Sequence, residues 1–222
     1  FASTKKPVMM SKVLQNISLA KLISTDKKEF VMATKTFSVP YRIVRDDVQA
    51  LMIDVQEKLT PHIFEHETII KKMAVLIQGL QALGVPVMLN EQYKKGLGKT
   101  INELYGLLSD TNRKSFEKKS FSVCDNPPSW AHILQQNRRI VLLFGIEAHV
   151  CVLQTALDLL DNGMQPVIVA DAVGSRNPYD KKQAIRRMRR AGAAVTTTEA
   201  ILFELLRSAE DPAFKTISGL VK

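Results

Sequence analysis

The cysteine at position 151 is the residue of this chain best placed to act as a nucleophile. It follows an apolar run, residues 140–144, that is typical of a fully buried strand. The apolar residues that come next recur at helical spacing, so a helix begins close to the cysteine: Val150, Leu153, Leu157 and Leu160. At a strand-to-helix turn, backbone N–H groups and the helix dipole favour the thiolate, which is the nucleophilic form. The alternative is a small buried hydrophobe, because free cysteine is among the most buried residue types.

An acid and a pair of lysines follow two other predicted strands. Asp54 lies at the carboxyl end of the first strand, and Lys118 and Lys119 lie at the end of the third. In a parallel sheet these ends open on one edge, so an acid, a cation and the thiol should converge there. The lysine would lower the thiol pKa, and Asp54 would take the thiol proton and return it to a leaving group. Taken singly, a capping aspartate, solvated lysines and a core thiol are at least equally good interpretations.

The elements that must hold these residues alternate along the chain past residue 45. The predicted strands cover residues 50–55, 85–90, 113–118, 140–144, 166–170 and 193–197. The predicted helices cover residues 65–83, 129–136, about 151–161, 180–191 and 199–207. Strands separated by helices are typical of a parallel sheet covered on both faces. The fold class expected for residues 41–222 is therefore α/β, a three-layer α/β/α sandwich around a six-stranded parallel Rossmann-like sheet, in one domain.

Residues 1–40 differ in composition from the rest of the chain. They hold seven lysines against Asp26 and Glu29, which is +5 of the net charge of +9. Such a basic extension resembles an organelle presequence but has no arginine before Arg42. Two interpretations stay open, a targeting segment and a non-native start ahead of an initiator at Met32. The expected compartment is the cytoplasm, or the mitochondrion if the extension is a genuine targeting segment.

Composition narrows the function classes. The chain has 222 residues, of which 45% are hydrophobic, and no apolar run approaches the ~20 residues needed to span a bilayer. Two cysteines, Cys124 and Cys151, make no disulfide framework, and paired zinc-ligand motifs are absent from the sequence. The basic run 186–190 lies on a helix whose apolar residues face inward, so a solvated helix face is a better account than nucleic-acid binding.

Six segments together resemble the isochorismatase-like cysteine hydrolase family, in its branch of isochorismatase-domain-containing proteins. The resemblance covers roughly residues 45–221. Its carriers are MIDVQEKL (52–59), NEQYKKGLG (90–98), EKKSFSV (117–123), GIEAHVCVLQTALDLL (145–160), VIVADAVGSR (167–176) and MRRAGAAVTTTEAILFELL (188–206).

The resemblance implies a catalytic triad of Asp54, a lysine and Cys151. The family pattern places the lysine three residues before an aromatic–Ser pair, which selects Lys118 and leaves the adjacent Lys119 as an ambiguity. It also implies a cis peptide bond at Ile146–Glu147. The backbone N–H groups of Glu147 and Cys151 would then form the oxyanion hole.

The chain departs from the family's nicotinamidases, which carry an Asp-x-His metal motif after the second strand. Here that position reads Asn-Glu-Gln-Tyr, so we expect neither a metal nor any other cofactor, and not nicotinamide as substrate. Four residues are candidates for binding a substrate: Gln56, Glu91, Gln92 and Tyr93. Gln56 could instead orient Asp54. His149 is expected to cap or pack.

The expected function is that of a hydrolase with a cysteine nucleophile, which acts at a C–N bond of a small amide, carbamoyl or related substrate. The alternatives are a catalytically silent binding or assembly protein on the same fold and a nucleic-acid-processing protein, the latter disfavoured. No membrane partner is expected. A homo-oligomer is expected, because the segment 199–221 is unusually apolar for a chain end.

Overall fold

The computed structural model describes residues 42–222. The predicted basic extension, residues 1–40, lies outside the described residues.

Six parallel strands form the sheet. They are β1 Val48–Ile53, β2 Val87–Gln92, β3 Ser115–Lys118, β4 Ile140–Ile146, β5 Gln165–Gly174 and β6 Ala194–Thr196. Their order is β3-β2-β1-β4-β5-β6, and each neighbouring pair is parallel. The strand order reverses between β1 and β4, which is the point where open α/β sheets bind ligands. The predicted six-stranded parallel sheet is confirmed.

Helices cover both faces of the sheet. They are α1 His66–Ala82, α2 Lys94–Leu97, α3 Asn102–Tyr105, α4 Pro127–Gln135, α5 Leu153–Asp161, α6 Pro178–Ala191, α7 Thr198–Leu206 and α8 Phe214–Leu220. Helices α1, α7 and α8 bury their apolar residues against one face, and α4, α5 and α6 against the other. One turn of π-helix, Ala148–Val152, joins β4 to α5. The three-layer α/β/α sandwich is confirmed.

The two central strands are buried along their whole length. All six residues of β1 and all seven of β4 are buried, as a parallel sheet covered on both faces requires. Near their carboxyl ends Ile53 pairs with Gly145, which has a φ of 122°. A Cβ at Gly145 would overlap the backbone of Ile53, so only glycine permits this close approach.

Strand β5 is longer than the sequence pattern predicts. The apolar run stops at Ala170, but the strand continues to Gly174. It can do so because the next residue, Asp171, has hydrogen-bond partners for its carboxylate. Asp171 accepts hydrogen bonds from the backbone N (2.8 Å) and the hydroxyl (3.0 Å) of Thr198 at the start of α7. The extension carries Ser175 and Arg176 to the edge of the sheet where Asp54 and Cys151 lie.

The apolar chain end packs mainly into its own domain. Five of its side chains are buried in the core against α1: Ile201, Leu202, Leu205, Leu206 and Ile217. Among the larger ones Phe203 is 37% exposed. These buried side chains are not available to a second copy, so most of segment 199–221 is explained by packing within the domain, and the homo-oligomer stays a prediction.

Two surface expectations can be compared with the described residues. On α6, Ala184 and Met188 are buried, whereas the arginines of the run 186–190 are exposed, as expected for a solvated helix face. Among the helices of residues 42–222, none combines the length and the hydrophobicity that crossing a bilayer requires.

Candidate active site

Asp54 is the first residue after β1, and it is completely buried. Its φ of 55° is left-handed, a conformation that aspartate tolerates better than most residues. Its backbone N donates to Asn90 O (3.0 Å), and its carbonyl accepts from Gln56 N (2.9 Å). Oδ1 of its side chain has no hydrogen-bond partner among the described residues.

Lys118, the last residue of β3, reaches across β2 to this carboxylate. Its ammonium lies 2.8 Å from Asp54 Oδ2, and both side chains are completely buried. Three further oxygens accept from the same nitrogen: Gln92 Oε1 at 2.7 Å, Phe121 O at 3.0 Å and Ser120 O at 3.3 Å. Lys119 is exposed. Lys118, and not its neighbour, is the lysine that meets Asp54.

Cys151 lies in the π-helical turn beyond β4 and is only 6% exposed. Its thiol lies close enough to Asp54 and Lys118 for both groups to act on its pKa. Thr155 fixes the turn: its hydroxyl donates to Cys151 O (2.7 Å) and accepts from Val123 N (3.0 Å). One side chain therefore ties the cysteine turn to the loop that follows Lys118.

Burial dominates the electrostatics of this group. Removal from water raises the pKa of Asp54 above its ordinary value, although the neighbouring ammonium of Lys118 acts in the opposite direction. Burial, followed by the Asp54 charge, also raises the pKa of the Cys151 thiol; Lys118 lowers it by less. The expectation of a lysine-stabilised thiolate with a lowered pKa is therefore wrong for the free protein. One carboxylate already balances the ammonium, so a second anion in this dry site is disfavoured.

Gln92 binds the Lys118 ammonium, and Gln56 in turn binds the backbone of Gln92. The Gln56 amide donates to the carbonyls of Gly98 (2.7 Å) and Gln92 (2.9 Å), and its oxygen accepts from Gln92 N (2.7 Å). Gln92 in turn accepts from Lys118 and donates to Lys119 O (2.8 Å). Gln56 is completely buried and its amide is engaged with backbone, an arrangement that favours an orienting role over contact with substrate. Its contact with substrate stays a prediction.

Glu91 points to the other face of the sheet from Gln92, as adjacent strand residues must. Its Oε1 accepts from the backbone N (2.8 Å) and the hydroxyl (2.9 Å) of Thr100, and Oε2 pairs with Lys94 Nζ at 2.6 Å. Burial would raise the pKa of this carboxyl, but the hydrogen bonds from Lys94 and Thr100 outweigh it and lower the pKa. Glu91 lines a separate cavity of about 270 Å³. Tyr93 is 46% exposed, and its ring lies over Gly96.

The peptide bond between Ile146 and Glu147 is cis. The carbonyl of Glu147 accepts from Val150 N (3.1 Å) and Val152 N (3.2 Å), which closes the turn around Cys151. His149 Nδ1 lies 3.0 Å from Ser175 Oγ, so this histidine has the packing and hydrogen-bonding role expected of it.

The second cysteine has a different setting. Burial raises the pKa of Cys124 to about 12, and its backbone N donates to Ser122 Oγ (3.2 Å). Within residues 42–222, histidine, cysteine and acidic side chains nowhere gather in a group of three or more that could hold a metal ion.

A family model now gives this geometry its context. The model of the isochorismatase domain matches residues 49–200, which include Asp54, Lys118 and Cys151. The chain belongs to the isochorismatase family. It is thereby a member of the isochorismatase-like hydrolase superfamily, and the resemblance inferred from the sequence motifs is confirmed.

Relatives within the isochorismatase family cover most of the chain. Isochorismatase family protein 1B of Dictyostelium discoideum is 39% identical over 184 residues, which are 82% of this chain and 89% of that protein. The structure of MAR1 ribonuclease from Caenorhabditis elegans is 39% identical, with a TM-score of 0.76 over 81% of this chain and 92% of that one. The structure of Escherichia coli YcaC, described as an octameric hydrolase of unknown specificity, has a TM-score of 0.76 over 81% and 89% of the two chains. At 22% identity YcaC shows the fold alone.

Proposed function

We propose that this protein is a hydrolase in which Cys151 is the nucleophile, Asp54 is the proton carrier and Lys118 is the electrostatic partner. The substrate class is a small amide, carbamoyl compound or related electrophile. One observation carries the proposal: a buried ammonium lies 2.8 Å from a buried carboxylate, and a thiol lies near enough for both to act on its pKa. A structural ion pair alone does not need an uncommitted oxygen such as Asp54 Oδ1 beside a thiol.

The first step forms a covalent intermediate. The sulfur of Cys151 attacks the substrate carbonyl carbon while its proton passes to Asp54. The carbonyl oxygen becomes an oxyanion, which accepts hydrogen bonds from the backbone N–H groups of Glu147 and Cys151. Asp54 then gives the proton to the leaving nitrogen, the C–N bond breaks, and the acyl group remains on sulfur as a thioester.

The second step returns the enzyme to its starting state. Water attacks the thioester carbon and loses a proton to Asp54, and the C–S bond of the resulting intermediate breaks. The departing sulfur regains a proton from Asp54, and the carboxylic acid leaves. The net reaction consumes one water and yields an acid and an amine.

The neutral resting thiol is compatible with this sequence. Because burial and Asp54 raise the pKa of Cys151, the thiolate forms only as Asp54 accepts the proton. That transfer moves negative charge from oxygen to sulfur without adding a second anion. Lys118 lies close to both groups, so its ammonium stays paired with a negative charge before and after the transfer.

A hydrolase screen tests the proposal. Wild type and Cys151→Ala are assayed in parallel on amides, ureides and carbamates, with Cys124→Ala as the matched control for loss of a thiol. We expect turnover that is lost in Cys151→Ala and retained in Cys124→Ala. Equal turnover in all three proteins would rule out the cysteine mechanism, and inert wild-type protein across the screen would favour the silent binding protein.

A second candidate is a ribonuclease. The observation that favours it is the name of the Caenorhabditis elegans relative, which is 39% identical. In this chain three basic side chains, Lys94, Lys99 and Arg113, line the cavity that Glu91 also lines. A basic cavity can attract phosphates, although sequence-independent RNA binding needs a longer track of charge.

Incubation with single-stranded RNA decides between the two candidates. A ribonuclease that uses this cavity predicts cleavage that falls steeply with added salt and is abolished by the double variant Lys99→Met/Arg113→Met. Cleavage that copurifies unchanged with the double variant would identify a contaminant and exclude this candidate.

Self-association remains a prediction. YcaC is described as octameric, but the apolar chain end that suggested an oligomer here is mostly buried. Three exposed aromatic side chains near the strand ends offer apolar surface that a second copy could cover: Phe64, Phe121 and Tyr179.

A further inference from the structure

Arg176 lies two residues beyond the end of β5 and is fixed by a buried carboxylate. Its backbone N donates to Glu147 Oε2 at 3.0 Å, and its Nε lies 3.1 and 3.2 Å from the two carboxylate oxygens. The Glu147 side chain is only 7% exposed, whereas that of Arg176 is 63% exposed. One buried acid therefore anchors the inner part of an arginine whose outer part faces solvent.

The pairing with Glu147 leaves the two terminal guanidinium nitrogens of Arg176, its fork, without a partner among the described residues. An arginine–carboxylate pair frequently engages two of the guanidinium nitrogens against the two carboxylate oxygens. Here Nε makes the contact, and among the described residues neither terminal nitrogen has a protein acceptor. Arg45 and Arg138, in contrast, direct terminal nitrogens to Asp211 and to backbone carbonyls.

The anchor belongs to the segment that carries the nucleophile. Glu147 precedes the π-helical turn and accepts two of its backbone hydrogen bonds, so Arg176 is fixed to the turn that contains Cys151. Strands β4 and β5 end side by side, with Ile146 opposite Gly174. Helix α6 begins two residues after Arg176 and packs against the turn, so its positive end adds to the same field.

The buried cation of the site is not free to bind a ligand. The Lys118 ammonium is buried and has four protein acceptors, so it cannot leave to meet a substrate group. The terminal guanidinium nitrogens of Arg176 present a planar pair of donors, which matches the two oxygens of a carboxylate.

We propose that Arg176 binds a carboxylate of the substrate, so that the substrate class is a small acid whose amide or carbamoyl carbon lies a few bonds from the carboxylate. This inference rests on the proposed function and narrows it. The buried Glu147 sets the position of the Arg176 guanidinium. Its two terminal nitrogens bind the substrate carboxylate while the substrate carbonyl carbon lies at Cys151.

Two alkylating reagents of nearly equal size test the assignment. Iodoacetate carries a carboxylate and iodoacetamide its neutral amide; in both, sulfur displaces iodide from the same carbon. The rates are measured by mass spectrometry in a Cys124→Ser background, where Cys151 is the only thiol, and the iodoacetate-to-iodoacetamide ratio is compared with that of glutathione. We expect a raised ratio that Arg176→Gln lowers roughly 10- to 100-fold, the range for one charge-assisted contact, mainly through the iodoacetate rate.

Three further variants separate carboxylate binding by Arg176 from a purely structural effect of its loss. Arg189→Gln, on the exposed face of α6, removes the same charge elsewhere and should leave the ratio unchanged. Arg176→Lys keeps the charge without the fork and should give an intermediate ratio. If Arg176→Gln also slows iodoacetamide because Glu147 is left unpaired, the double variant Glu147→Gln/Arg176→Gln removes that buried charge. The double variant should restore the iodoacetamide rate but not the preference for iodoacetate.

The outcomes for Arg176 and for the nucleophile are distinguishable. A reactive Cys151 whose reagent ratio does not depend on Arg176 overturns the carboxylate assignment and leaves the nucleophile intact. A Cys151 inert to both reagents counts against the proposed function instead. Calorimetry on Cys151→Ala then decides the assignment: malonamate should bind at least about tenfold more tightly than neutral malonamide, and Arg176→Gln should abolish the difference. Equal binding of the two compounds overturns it.

Discussion

Replacing Lys118 by methionine should expose the cost of the buried acid beside it. The substitution keeps most of the side-chain volume but removes an ammonium that has four oxygen partners and no solvent exposure. Asp54 is then an unpaired charge in a dry site, and removing one member of a buried pair typically costs about 3–5 kcal/mol of folding free energy. The cost should shrink as the pH falls, because burial already raises the pKa of Asp54 and protonation removes the unpaired charge.

Urea unfolding followed by the fluorescence of Trp130, the only tryptophan, measures this free energy. Lys119→Met is the matched control: the same change at the exposed neighbour should alter stability by no more than about 0.5 kcal/mol. The double variant Asp54→Asn/Lys118→Met removes both charges and should recover much of the loss. A change below about 1 kcal/mol in Lys118→Met, or an equal change in the control, would refute the buried-pair reasoning.

Three other substitutions test separate features of the site and the sheet. Asp54→Asn should lower the pKa of Cys151, because the Asp54 charge is, after burial, the second cause that raises this pKa. The pKa is measured by titrating the thiolate absorbance, and an unchanged value would contradict the expectation. Glu91→Gln should lower stability at neutral pH, and the loss should fade as the pH falls below the ordinary carboxyl value of 4.5, because a lowered pKa stabilises the fold fully above that value and the gain is lost as the pH passes through the lower pKa of the folded state. A constant loss between pH 3 and 7 (roughly the range that brackets this titration) would count against that carboxylate's role. Gly145→Ala should cost at least about 2 kcal/mol because of its positive φ and the overlap with Ile53, and an unshifted melting temperature would show that the strands can separate there.

Much of the fold could be predicted because its strands and helices follow their ideal periods. The apolar run before Cys151 and the helical spacing after it correspond to β4 and α5, and the other four predicted helices are also present. The sequence pattern missed the last part of β5, because Asp171 interrupts the apolar run and its hydrogen bonds to Thr198 come from a distant helix. It also missed α8, whose seven residues make a helix too short to show a clear period.

The candidate site was only partly predictable. Strand ends placed Asp54, Lys118 and Cys151 at one edge, but the reach of Lys118 across β2 depends on strand order, which local patterns do not specify. The alternation of strand residues could have shown that Glu91 and Gln92 face opposite ways. The elevated thiol pKa depends on how deeply the three groups are buried together, a property of the packed chain. Arg176 gave no signal, because its anchor is 29 residues away in sequence.

Acid-quenched mass spectrometry during turnover tests the central claim most directly. With the best substrate from the hydrolase screen, the account predicts a mass increase equal to the acyl group, located on the peptide that contains Cys151. Undiminished turnover without any adduct on that peptide, together with full activity in Cys151→Ala, would contradict the account.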